Sequence, residues 1–451
     1  MPKIYERPLV YRIAKKYIAS SFKKFYNEYI VLGKENIPAE GPFIFAPNHL
    51  NALMDALAVI SVSSHDYATV FLARADMFNK KQVADFLTFA KIMPAFRIRD
   101  GIENLGKNAE IFDKCVEVLE TNNAMGIMPE GNQELERKIR PLVKGIFRVA
   151  FSAQEKIGTA KNVKIVPVGI DLGSLKKAQS HIIINIGKPI DVAQYMEVYK
   201  ENAPVATNQI RDELKKRMES LVLHLGTEKH YAAFESVTRI ANILMLKEME
   251  MTDNTVNRFY ARQEIGKRLL NIEKNEPEKG DQLDALCSDF ENLRKDLNLY
   301  ISNFDTKQKT GFQTFIQGIG LAALSPILLT GFIFNALPFF TPVLIRKKLN
   351  VKFEGFYSSL HYGIGIITFP LFYITQAILL LELTGLAWWL ILLIIPFEYY
   401  FGKWAMKLYK KFRKYFGELN HQQVKKNKPE AYNQLLKIRK SITDMVLNNK
   451  G

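Results

Sequence analysis

Residues 312–345 carry no charged side chain, and residues 355–402 contain two acids, Glu382 and Glu398, with no Lys or Arg. Each stretch exceeds the roughly 20 apolar residues needed to cross a bilayer. A backbone in hydrocarbon must satisfy its own hydrogen bonds, so helices are the expected form. A membrane region is therefore predicted over 311–402, and a wholly soluble fold is excluded. Pro326, Pro338 and Pro342 interrupt the first stretch, which predicts a kinked or re-entrant hairpin. The second is long enough for two spans with a turn near 382–385. Trp388 and Trp389 would lie at one interface, and Tyr399, Tyr400 and Trp404 at the other.

The formal charge of +16 is unevenly placed. Residues 403–451 hold thirteen Lys or Arg against Glu418, Glu430 and Asp444. A basic tail directly after an apolar stretch draws anionic headgroups, at about 1 kcal/mol per cation near the surface. That placement favours anionic membrane lipid over nucleic acid as the partner of the charge. Arg346, Lys347, Lys348 and the tail flank the apolar stretches, and positive residues in short loops stay cytoplasmic. The expectation is an integral membrane protein with an even number of crossings and its preceding domain facing the cytoplasm. The start, MPKIYERPLVYRIAKKY, lacks the apolar core of a signal peptide. Cys115 and Cys287 form neither a disulfide framework nor a zinc site, and no metal or cofactor is expected.

Five regions follow. Residues 1–28 read as an amphipathic helix with an apolar stripe of Val10, Ile13, Ala14, Tyr17, Ile18, Phe22 and Phe25, fit either for a membrane interface or for packing on the domain. Residues 29–191 alternate short apolar runs (29–32, 43–46, 69–73, 125–128, 165–170, 182–186) with helical patterns (52–62, 81–90, 108–120, 145–155). This is α/β grammar, a mixed sheet covered by helices. Residues 192–310 read as a helical subdomain, 311–402 as the membrane region and 403–451 as the basic tail.

Chemistry concentrates in the α/β region. A buried-type strand delivers Asn48 and His49 at its carboxyl end, and Asp55 follows in the first turns of a helix. Such strand ends are where open α/β sheets place ligands. A carboxylate holding one ring nitrogen of a histidine leaves the other free to take a proton from a hydroxyl. A second strand opens into a turn with Pro129, Glu130 and Gly131, followed by Arg137, Lys138, Arg140 and Lys144, a basic group suited to phosphate. Arg97 and Arg99 end an alternating run that could meet an anion. The stretch from Gly101 to Asn108 is one residue short of a P-loop, but it lacks the Ser or Thr and the preceding strand.

Taken in order, these motifs resemble the glycerophosphate acyltransferase superfamily over residues 29–190. The matching positions are Asn48, His49 and Asp55; Arg99; Pro129, Glu130 and Gly131 with Lys144 and Gly145 downstream; and Val166, Pro167 and Val168. Five residues separate His49 from Asp55, as in a subgroup that includes fungal glycerol-3-phosphate and dihydroxyacetone-phosphate acyltransferases. The third motif reads Glu-Gly-Asn-Gln, where many relatives carry Glu-Gly-Thr-Arg-Ser. The resemblance implies an O-acyltransferase of phospholipid biosynthesis. It would move an acyl group from acyl-CoA or acyl carrier protein to a hydroxyl of glycerol-3-phosphate or its 1-acyl derivative. It implies His49 and Asp55 as catalytic pair and Arg99, Glu130, Gly131, Arg137 and Lys144 as substrate-binding residues. A lyso-aminolipid acceptor, or a non-catalytic lipid-binding scaffold or carrier, is the alternative.

Overall fold

The computed structural model describes residues 3–96, 106–305 and 309–449. Contacts divide the chain into two compact units, Met1–His224 with Lys352–Tyr362, and Leu225–Val351 with Gly363–Gly451.

The first unit is built on an eight-stranded sheet: β1 (Glu28–Leu32), β2 (Phe43–Pro47), β3 (Thr69–Arg74), β4 (Ile92–Ala95), β5 (Ala124–Gly126), β6 (Lys164–Leu172), β7 (His181–Ile186) and β8 (Ile190–Asp191). The order is β1-β7-β6-β2-β5-β3-β4, with β8 beside β6. Pairing is parallel except where β6 meets β7 and β8, so the sheet is mixed as expected. All six apolar runs named from the sequence contribute to it, although β5 ends at Gly126 and leaves 127–128 outside. The additional β4 is short, lies at the edge and holds Pro94, a residue confined to such strands because it donates no ladder bond.

Helices cover both faces, as the near-continuous apolar strands require. On one face α4 (Lys107–Glu120), α5 (Gly145–Ile157) and α7 (Ala203–Leu221) bury Leu119, Phe147, Ile210, Leu214 and Met218 against Ile44, Val70 and Met125. The core of the α/β unit therefore draws on a helix beyond residue 191; the short α6 (Met196–Glu201) precedes it. Gly169 in β6 allows this close packing, since a Cβ there would lie 2.4 Å from the Leu221 carbonyl oxygen. Gly169→Ala must push backbone apart, and an unfolding loss of about 1–3 kcal/mol is expected, read as a lower thermal midpoint.

The opposite side carries α1 (Leu9–Phe25) and α2 (Ala52–Val62), which pack together, and the short α3 (Lys81–Phe89) lies against β4. The buried face of α1 is Tyr11, Lys15, Ala19 and Phe22, rotated from the stripe read in the sequence, and Val10, Ile13 and Tyr17 remain exposed. Lys15 is buried, and its ammonium donates to the Ser64 carbonyl at 2.5 Å. Burial lowers its pKa to about 8. The unfolded chain then binds more protons than the folded one from about pH 8 up to the ordinary lysine value, so stability rises with pH across that window. The stability difference, wild type minus Lys15→Met, is expected to grow by up to about 3 kcal/mol between pH 7 and 10.5 in parallel melts.

The second unit is helical: α8 (Tyr231–Ile240), α9 (Asn242–Glu248), α10 (Thr255–Asn275), α11 (Pro277–Asp296), α12 (Gly311–Ala323), α13 (Ser325–Lys348), most of α14 (Tyr357–Thr384), α15 (Ile391–Asn427) and α16 (Pro429–Leu447). Phe234, Ile265, Leu269, Phe290, Leu435 and Ile442 fill its interior. Two segments, Ser325–Lys348 and Glu354–Thr384, are long and apolar enough to cross a membrane, with mean hydropathies of 1.8 and 2.0. α13 and α15 meet closely at Gly331, where a Cβ would lie 2.4 Å from that of Ala405, a small-residue contact suited to packing in lipid. The chain turns after α14 at Gly385, φ +67°, the left-handed position where glycine ends helices.

Candidate active site

Three adjacent strands, β6, β2 and β5, bring their carboxyl ends to one edge of the sheet. β2 ends at Pro47, and Asn48 continues the ladder with its side chain. Its Nδ2 donates to the Ile170 carbonyl (3.2 Å), and its Oδ1 accepts from the Ile170 N–H (2.7 Å). Asn48 thus anchors the loop, and the next side chain, His49, projects from a fixed base.

His49 Nδ1 lies 3.0 Å from Asp55 Oδ2, an oxygen that also accepts the Asn51 N–H at 2.7 Å. Asp55 is fully buried in the first turn of α2, where the helix dipole favours its charge. With Nδ1–H donated to the carboxylate, Nε2 is the basic nitrogen. Among the described residues nothing hydrogen-bonds Nε2, and the ring keeps 19% of its exposure. The pair is arranged to take a proton at Nε2 and to stabilise the imidazolium that results.

The β5 loop closes beneath it. Glu130 is buried, its Oε1 accepting the His49 N–H at 2.9 Å and its Oε2 accepting Arg140 Nε at 2.8 Å and the Arg140 N–H at 3.2 Å. Burial pushes the Glu130 carboxyl above its ordinary value, against the guanidinium and the backbone N–H groups that favour its charge. The arginine also donates to the carbonyls of Asn132 and His49. Gly131 turns the loop at φ +71°, with Val143 3.2 Å from where a Cβ would be.

His49, Asp55, Glu130 and Gly131 therefore come together. Arg137 is buried in an ion pair with Asp171 and donates to the Leu172 carbonyl, both at the end of β6. Lys144 is exposed at the start of α5. Arg99 lies outside the described residues; β4, which precedes it, ends at Ala95. Sequence reading did not single out three participants: Arg140 as the partner of Glu130, Asn51, and Ser358, whose Oγ accepts from Asn51 Nδ2 at 2.7 Å. Two serines heading an otherwise apolar helix were the available signal for the last.

Residues 28–171 match the family model described as Acyltransferase. This part of the chain is a domain of the glycerophosphate acyltransferase superfamily. Over 133 residues the chain is 24% identical to Glycerol-3-phosphate O-acyltransferase 1 of Saccharomyces cerevisiae. That match covers 29% of this chain and 17% of the yeast protein, so the chain spans less than a fifth of that curated relative. A solved structure, the 1-acyl-sn-glycerophosphate (LPA) acyltransferase of Thermotoga maritima, is similar at 19% identity and a TM-score of 0.35, over 48% of this chain and 80% of that one.

Proposed function

We propose that the protein is a membrane-bound O-acyltransferase that moves a fatty acyl group from acyl-CoA or acyl carrier protein to a hydroxyl of glycerol-3-phosphate or 1-acyl-glycerol-3-phosphate, with its acyltransferase domain facing the cytoplasm. The observation that carries the reading is the His49–Asp55 pair, with an unencumbered Nε2 among the described residues at the carboxyl edge of the sheet. His49 Nε2 takes the proton of the acceptor hydroxyl as its oxygen forms a bond to the thioester carbonyl carbon. The tetrahedral intermediate collapses, the carbon–sulfur bond breaks, and the imidazolium returns the proton to the departing thiolate. Asp55 holds the tautomer and offsets the transient positive charge.

Phosphate recognition falls to the basic residues around this edge. Glu130 and Arg140 are engaged with each other, and Arg137 with Asp171. Lys144 is exposed and has no ion pair among the described residues, so it and Arg99 are the cations assigned to the acceptor phosphate. The basic tail and the apolar helices α13 and α14 support attachment to a membrane with anionic headgroups.

The test is purified protein with labelled acyl-CoA and, separately, acylated carrier protein, offered glycerol-3-phosphate, its 1-acyl derivative and lyso-aminolipids. Labelled product from a phosphorylated acceptor is expected, and acylation of the aminolipid alone would refute the acceptor assignment. Arg99→Ala should raise KM for the phosphorylated acceptor by about 10-fold or more, because a charge-assisted hydrogen bond to phosphate contributes about 1.5–3 kcal/mol. The KM for acyl donor should move little, and equal changes in both would count against a phosphate contact.

A further inference from the structure

We infer that residues 352–362 position the His49–Asp55 pair for catalysis, acting through a buried Asn51–Ser358 contact; this rests on the acyltransferase reading of that pair.

Asn51 is the N-cap residue of α2, and its N–H is the group that holds Asp55 Oδ2 at 2.7 Å. An asparagine at this position ordinarily turns its side chain onto the free N–H groups of its own helix, for about 1 kcal/mol. Here it makes no such cap. The amide, fully buried, donates instead to Ser358 Oγ (2.7 Å) and the Leu175 carbonyl (3.2 Å). The Ser358 hydroxyl lies 2.8 Å from that same carbonyl and 2.9 Å from Asn51 Oδ1. Ser359 Oγ reaches the Asn51 carbonyl at 3.4 Å.

The residue after Asn51 shows why an outside brace is needed. Ala52 has φ +42°, a left-handed conformation that costs a residue with a Cβ roughly 1–2 kcal/mol. Such strain persists only where the surroundings over-determine it. The strained residue lies between Asn51 and Asp55, so relaxation of this turn would move the carboxylate away from His49. The bracing segment is itself held at both ends within the first unit. Glu354 pairs with Lys176, while the Tyr362 hydroxyl contacts Ser21 Oγ at 2.6 Å and donates to the Ile18 carbonyl at 3.0 Å. The hydroxyl of Ser358 is thus a fixed point, and Asn51 transmits its position to Asp55.

Ser358→Ala removes one oxygen and adds no bulk. In the full-length protein it should lower kcat about tenfold while leaving both KM values within about twofold, because orientation of the base matters in the transition state and little in substrate binding. Asn51→Ala should cost about 100-fold. In the double variant the loss should equal that of Asn51→Ala alone, since Ser358 acts through Asn51. Unchanged kcat in Ser358→Ala, losses that simply multiply, or a loss confined to raised KM or to less folded protein would each overturn the inference. If Asn51→Ala does not fold, the kcat-against-KM split of Ser358→Ala decides alone. His49→Ala is measured alongside. Its inactivity with full turnover in Ser358→Ala removes this inference only, whereas turnover in His49→Ala removes the reading beneath it.

Discussion

His49→Ala is expected to lower kcat for acyl transfer by about 10²–10⁴-fold, the contribution of a positioned general base. The side chain is 19% exposed and makes one side-chain hydrogen bond among the described residues, to Asp55, so its loss opens space at a loop and leaves the sheet intact. Secondary structure and membrane fractionation should therefore match the wild type. Asp55 would be left buried with the Asn51 N–H as its remaining donor, a modest cost that a melting curve would register as a shift of a few degrees. Retained turnover would show that another group takes the hydroxyl proton.

Asp55→Asn should be nearly as damaging, about 10²–10⁴-fold in kcat by the logic of a base held in the wrong tautomer. One Asp55 oxygen accepts both the Asn51 N–H and the His49 Nδ1–H, and Oδ1 has no hydrogen-bond partner among the described residues. An amide in the same place has two poses. With its carbonyl on the shared side it keeps both bonds, loses the charge that stabilises imidazolium, and buries an unpartnered N–H₂. Turned over, it sets a donor against the Asn51 N–H and forces His49 into the tautomer whose Nε2 carries the proton. The first pose weakens the base and the second removes it, and both leave the ring in place. Activity that returned as pH was raised would indicate a hydroxyl ionising in solution, so the assay should span pH 6 to 9.

The α/β order was readable because its strands are buried on both faces, and runs such as Phe43–Pro47 and Lys164–Leu172 therefore carry almost unbroken apolar sequence. β4 escaped because Pro94 breaks the strand pattern, and β8 because two residues make no pattern at all. The His49–Asp55 relation was readable for a local reason: a strand end and the first turn of a helix fix their spacing. The partners of the basic residues were not. Arg137, expected to face an anion, meets Asp171 across the sheet edge, and Arg140 closes on Glu130. Nothing in the spacing of like residues shows which opposite charge the fold will bring near. Ser358 lies 307 residues from Asn51, and its neighbours read as the head of an apolar span.

That separation has a meaning in time. The ribosome finishes α7, adds residues 225–351, and only then makes Ser358. At about 5–20 residues per second this interval is on the order of ten seconds. Throughout it the sheet can close, yet the Asn51 amide has the Leu175 carbonyl without the Ser358 hydroxyl, and the strained turn at Ala52 lacks the brace of residues 352–362. If Ser358 positions the pair as proposed, the nascent chain would work at a fraction of its final rate until that serine is made. Full positioning would come only as the first turn of α14 emerges, at the head of a helix long and apolar enough to cross a bilayer.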